Sequence, residues 1–156
     1  MSRGKAFDKT HRIWTAAVVA LALGAAAASA PMPPPPAMTV YKSPTCGCCR
    51  AWVDHMTRAG FRVTVHDTST LDAVKATRHI PPQLQSCHTA DVAGYVIEGH
   101  VPADLIERLV RERPAIAGLA VPGMPMGSPG MEGGRRDAYQ VLTFDRSGRT
   151  TVYATR

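Results

Sequence analysis

The sequence predicts an α/β (α+β) fold, a sandwich in which a central mixed sheet carries helices and ends in a C-terminal β-hairpin. Three observations lead there. Segments with apolar residues at helical spacing alternate with short strand-like segments, Gly and Pro punctuate the junctions, and two strand-like runs flank a turn at the end of the chain.

The first strand spans residues 38–42 and is broken by Ser43-Pro44-Thr45. Trp52, Val53 and Met56 then recur at three- and four-residue spacing, which makes residues 49–59 a helix ended by Gly60. Residues 61–66 alternate Phe, Val and Val with Arg, Thr and His, a second strand. Ser69 is placed to cap a helix through Leu71 and Val74 to about His79, stopped by Pro81-Pro82. Residues 92–97 read as a third strand. Pro102 opens a helix carrying Leu105, Ile106, Leu109 and Val110, which ends before Pro114. A Gly/Pro/Met loop covers roughly residues 117–137, and the hairpin pairs 139–144 with 150–154 across the turn Asp145-Arg146-Ser147-Gly148.

With 156 residues the chain fits one domain. Its start has the pattern of an export signal: Arg3, Lys5, Lys9 and Arg12 precede an uncharged apolar run over residues 13–28, followed by Ala28-Ser29-Ala30. Sixteen residues fall short of the roughly 20 a spanning helix needs, so no stable membrane anchor is expected after cleavage. Pro31 sits awkwardly just beyond that cut, which shifts the expected cleavage by a residue or two. The chain therefore divides into a signal peptide (1–30), a Pro-rich spacer (31–37) and a folded metal-binding domain (38–156). Without residues 1–30 the formal net charge falls from +6 to +3. No run of Lys or Arg interleaved with aromatics remains, which argues against a nucleic-acid partner.

All four cysteines lie in the mature part, where an exported chain meets oxidising conditions. Cys46, Cys48 and Cys49 fall within four residues at a helix start, where unpaired amides and the helix dipole favour thiolates. Thiolate is both ligand and nucleophile. Cys46 and Cys49 stand in the Cys-x-x-Cys relation of a redox pair, which keeps a thiol-disulfide oxidoreductase as the alternative function. A third adjacent thiol invites isomerised disulfides in such an enzyme, but supplies another soft donor to a metal. Three sulfurs near one point suit Cu(I), and bridging thiolates can hold more than one ion. Zinc is the alternative metal, with Cys46, Cys49, Cys87 and His88 as a three-cysteine, one-histidine set, although structural zinc usually uses two spaced pairs.

Cys87 follows Pro81-Pro82 in a loop that can return to the cysteine end of the sheet, and is expected to complete the site. His88 beside it is the best nitrogen candidate. Met124 and Met126 are further candidate ligands, because thioether sulfur binds Cu(I) but is a poor donor to harder ions, with Met131 weaker. Packing over the site is the plainer role for a methionine. His55 should point elsewhere, and His66, His79 and His100 read as surface or capping residues.

Residues 38–67, with Tyr-Lys-Ser-Pro-Thr-Cys ahead of a helix and Gly-Phe-Arg-Val-Thr-Val-His-Asp after it, resemble the start of a thioredoxin-like or glutaredoxin domain. Cys-Gly-Cys-Cys, Ser86-Cys87-His88-Thr89 and Val121-Pro122-Gly123-Met124-Pro125 ahead of the last hairpin resemble the CopG-type periplasmic copper-resistance proteins over about residues 38–154. The resemblance implies a thioredoxin-like sandwich and a periplasmic copper-binding protein of copper resistance and homeostasis. It also implies copper ions as ligands and periplasmic copper donor or acceptor proteins as partners. On a thioredoxin-like frame Pro122 would be the cis-proline facing the cysteines.

Overall fold

The structure is a computed structural model and describes Met1 and residues 36–156. The expected signal peptide, Met1 apart, and nearly all of the expected Pro-rich spacer lie outside the described residues. The elements run β1 (Ala37–Lys42), α1 (Gly47–Arg58), β2 (Arg62–Asp67), α2 (Leu71–Thr77), β3 (His88–Val92), β4 (Tyr95–Glu98), α3 (Ala103–Glu112), β5 (Gly118–Ala120), β6 (Gln140–Phe144) and β7 (Thr150–Thr155). A 3₁₀ turn at Pro82–Leu84 precedes β3. The seven strands among the described residues form one mixed sheet in the order β2-β1-β3-β4-β5-β6-β7. β1 runs parallel to β2 and antiparallel to β3, and β4 runs parallel to β5. The expected mixed sheet, helices and C-terminal hairpin are all present, and the first four strands are compatible with a thioredoxin-like frame.

Strand alternation sends side chains to two faces. On one, Met38, Val40, Ala90, Val92, Ile97 and Leu119 pack with Trp52 and Met56 of α1 and Leu105, Ile106 and Leu109 of α3 in the main core. On the other, Ala120 and Phe144 pack with Ile80 and Leu84, while Lys75 of α2 lies buried against Thr89 and Glu98. Helices therefore cover both faces. Among the described residues no helix is long and apolar enough to cross a membrane.

Four expectations need correction. Residues 92–97 are not one strand: Ala93 and Gly94 make a two-residue turn at φ 50° and 88°, and a hairpin of β3 and β4 replaces it. The loop 117–137 contains β5, whose three residues are too few to show a period. Thr70, not Ser69, stands at the N-cap of α2, with no side-chain cap bond. Among the described residues no peptide bond is cis, so Pro122 is an ordinary trans proline.

The loop after β5 packs onto the first turns of α1 through Gly130, whose φ is 86° and whose Cβ, if it had one, would lie 2.6 Å from Cys48 O and 2.8 Å from Trp52 N. Gly130→Ala combines a left-handed backbone, roughly 1–2 kcal/mol, with overpacking against main chain, roughly 1–3 kcal/mol. It should lower the free energy of unfolding in urea by about 2–5 kcal/mol. A change below about 0.5 kcal/mol, the range of neutral surface substitutions, would mean that the loop does not seat on α1.

Candidate metal centre

The burial of one helix face brings the cysteines to the sheet. Cys49, Trp52 and Met56 recur at helical spacing on α1 and have no exposed surface. That pins the N-terminus of α1 beside the start of β3. Cys46 is the N-cap and its Sγ accepts from the Cys49 amide at 3.3 Å, so a sulfur does the work that a Ser or Asp oxygen does elsewhere. Cys87 comes from the other side, immediately before β3, with its carbonyl 3.5 Å from Cys49 Sγ.

Four sulfurs, those of Cys46, Cys48, Cys49 and Cys87, lie within 4.8 Å of one another. Cys46 and Cys49 are joined as a disulfide, with Cα atoms 5.4 Å apart, while Cys48 and Cys87 are free. Cys48 Sγ lies 3.4 Å from Cys46 Sγ and 4.0 Å from Met124 Sδ. Met124 is 52% exposed and Cys48 partly so, which makes this side the mouth of the cluster. Met126 turns its Cε toward Gly133, and no contact of its sulfur with the cysteines is found among the described residues.

A second group, Cys87, His88 and His100, also brings its donor atoms within 4.8 Å. His100 corrects the sequence reading that placed it at the surface or at a cap. It is fully buried. Its Nδ1 lies 2.7 Å from Pro129 O, a pure acceptor, so Nδ1 carries the proton. The Nε2 lone pair then faces Cys87 Sγ at 2.9 Å. Such a backbone carbonyl behind the imidazole fixes the tautomer that a metal-binding histidine needs. Only a single histidine between a Gly and a Val marks His100 in sequence, with no local pattern to separate it from a surface residue.

His88 is also buried, with Nδ1 3.5 Å from Cys87 Sγ and its ring between Trp52 (4.3 Å) and His100 (5.1 Å). Its Nε2 has no hydrogen-bond partner among the described residues. His55 points elsewhere, as expected, accepting from the Ala103 amide at the start of α3. His66 stacks on Tyr41, and His79 follows α2 at a left-handed φ of 53°.

The donor set fits a soft metal: sulfur dominates, and the imidazoles are held neutral. Burial, then the electrostatic influence of the neighbouring His100, pushes the His88 pKa well below its ordinary value, and burial lowers that of His100. Burial and the neighbouring Cys48 push the Cys87 thiol up to about 12, against a pull from the Ser86 side chain. Without metal, Cys87 keeps its proton at neutral pH and is a poor nucleophile. A thiophilic cation that displaces this proton makes binding release protons.

The histidines set a pH dependence for the metal-free fold. In the unfolded chain a histidine is protonated below about 6.5, while folded His88 stays neutral, so the unfolded state binds more protons. Stability is complete above that value and is lost as pH falls below it, by at most about 1.4 kcal/mol per pH unit for each such proton. Urea titrations of the reduced, metal-free protein from pH 7.5 to 5.5 should show this decline, and His88→Gln should flatten it. A wild-type profile that is flat over this window would contradict neutral buried histidines.

Comparison with known proteins follows the same geometry. A family model described as "Protein of unknown function, DUF411" matches residues 84–131, the stretch that holds Cys87, His88, His100, Met124 and Met126. No curated protein matches the chain. Two solved structures do, described as "Copper resistance protein copG", form 2 and form 1, both 48% identical to this chain. Their TM-scores are 0.75 and 0.74, and each match covers 78% of this chain and 98% of the other. With 48% identity over 78% of its length and almost the full length of that protein, the chain belongs to the CopG copper-resistance family.

Proposed function

We propose that this chain is a periplasmic copper-binding protein of copper resistance, which holds Cu(I) on the thiolates of Cys46, Cys48, Cys49 and Cys87. One observation carries the reading: a cysteine 38 positions beyond Cys49 joins the triplet, so that four sulfurs lie within 4.8 Å. Soft thiolates in this number favour Cu(I) over harder ions and permit bridging between more than one ion. His100 Nε2, which the sequence reading passed over, and His88 Nδ1 are nitrogen donors on the buried side. Met124 is a thioether donor at the mouth. Zinc is the less favoured cation here, because a methionine at the mouth adds nothing to a zinc site. Export by the N-terminal signal places the protein where copper is handled outside the cytoplasm, with copper donor or acceptor proteins as its partners.

The Cys46–Cys49 disulfide favours a second reading, a thiol-disulfide oxidoreductase in which Cys46 attacks and Cys49 resolves. Reduction of that bond takes two electrons and two protons and returns both thiols. The readings separate by mutation. For a copper site, anaerobically reduced wild type should take up Cu(I) against a chromophoric chelator, and Cys87→Ser should weaken it by more than the 10–100-fold seen when an outer-shell partner is lost. For the oxidoreductase, Cys48→Ser and Cys87→Ser keep disulfide-reductase activity on insulin, whereas Cys46→Ser abolishes it. A wild-type chain that ignores Cu(I) under competition yet reduces insulin would replace the first reading with the second.

A further inference from the structure

A buried polar network outside the metal centre lies on the opposite face of the sheet. Glu98 is wholly buried, and its Oε1 accepts from Lys75 Nζ at 2.5 Å and from the Ser86 amide at 2.6 Å. Its Oε2 accepts from the Thr89 hydroxyl at 2.6 Å, and Lys75 also donates to Thr89 Oγ1 at 3.0 Å. A buried ion pair of this kind is weak evidence for stability, since apolar side chains of similar volume commonly do as well. What the carboxylate does beyond stability is visible at Ser86.

Ser86 precedes Cys87 and bridges two loops. Its amide is held by Glu98, and its hydroxyl donates to Gly123 O at 2.6 Å, the carbonyl just before Met124. The main chain around Glu98 closes the same corner: Glu98 O accepts from the Val121 amide at 2.9 Å, and His88 O accepts from the Gly99 amide at 3.0 Å. Gly99 leaves no slack, for a Cβ there would lie 2.6 Å from Val121 O and 2.7 Å from Ser86 Cβ. His100 follows directly. One end of β4 thus meets the segments that carry Cys87, His88, His100 and Met124.

We propose that Glu98 and Ser86 are positioning residues that brace the Cys87 and Met124 loops into one metal site, with Lys75 holding the carboxylate in place. The proposal rests on the reading of Cys87 and Met124 as copper donors. Neither brace residue touches the metal. Each fixes main chain from which a donor projects, as outer-shell partners do in other metal sites.

Three variants test it on the full mature chain, reduced and handled without oxygen. Ser86→Ala removes the link to Gly123 and disturbs no buried charge. Lys75→Met with Glu98→Leu removes the ion pair together with the acceptor for the Ser86 amide. Lys75→Met with Glu98→Gln removes the charges but keeps an acceptor oxygen, and is the conservative rescue. Against a chromophoric Cu(I) chelator, Ser86→Ala and the Leu double variant should lose about tenfold in affinity, the low end of outer-shell effects. The Gln double variant should stay within about threefold of wild type, below that outer-shell range.

Alkylation of Cys87 by iodoacetamide in the metal-free protein, read by mass spectrometry, is the second measurement. It should quicken several-fold in the first two variants and not in the Gln variant. Equal behaviour of the Leu and Gln variants in both measurements, or wild-type values in Ser86→Ala, would overturn the brace. Wild type that takes no Cu(I) would sink the copper reading instead, and the alkylation rates would still decide the brace.

Discussion

The packing of Trp52 is the contact on which the rest of the site depends. Its ring is buried in the main core, its Nε1–H donates to Val101 O at 2.9 Å, and its face lies against His88. Through α1 it sets the helix N-terminus and hence Cys46, Cys48 and Cys49. Through Val101 it holds the corner after β4 that carries His100. Gly130 lies on its amide, and Pro129, one residue earlier, supplies the carbonyl that fixes the His100 tautomer. A buried tryptophan of this kind contributes roughly 3–5 kcal/mol on truncation, whereas an exposed helix pair such as Arg108–Glu112 contributes about 0.3–0.5 kcal/mol. Donors from four chain segments therefore share one apolar reference point, and surface charge has little part in placing them.

Strand alternation keeps two incompatible polar systems apart. His88 and Thr89 are neighbours on β3 but face opposite sides of the sheet, one toward sulfur and imidazole, the other toward Lys75 and Glu98. On the ionic side Lys75 and Glu98 meet within hydrogen-bonding distance, which offsets the cost of burying each charge. On the metal side, burial instead disfavours protonated imidazole and keeps Cys87 a thiol until a cation takes the place of its proton. A low-dielectric pocket of neutral soft donors penalises a bare cation, and thiolate formation on binding offsets that penalty.

Much of this was legible in sequence because it is local. The periodicity of Trp52, Val53 and Met56 located α1, Gly60 its end, and the alternating runs around Asp145–Gly148 the last hairpin. Cysteine spacing pointed to the triplet for the same reason, and Cys87 was reached because a loop after Pro81-Pro82 can return to the cysteine end of the sheet, with the preference of soft metals for sulfur and the family resemblance beside it. What failed was non-local or too short. β5 has three residues and exists because β4 and β6 pair with it. The Ala93-Gly94 turn lacks the Asn or Asp that usually marks a hairpin. His100 carries no signal of its own: its place follows from where β4 ends and from a carbonyl 29 positions away.

The disulfide and the metal centre compete for the same atoms, which links the two functional readings. Cys46 Sγ caps α1, bonds to Cys49, and stands 3.4 Å from Cys48. With the disulfide closed, two of the four sulfurs are committed, and only Cys48 and Cys87 keep free thiols. With it open, all four can act as thiolates toward one metal centre. Copper held in the reduced cluster blocks formation of the disulfide, since each thiolate lone pair bound to metal is withdrawn from attack on a partner sulfur. Under oxidising conditions such a site would keep its thiols by loading metal before oxidant arrives, and its redox behaviour would follow copper supply as well as thiol chemistry.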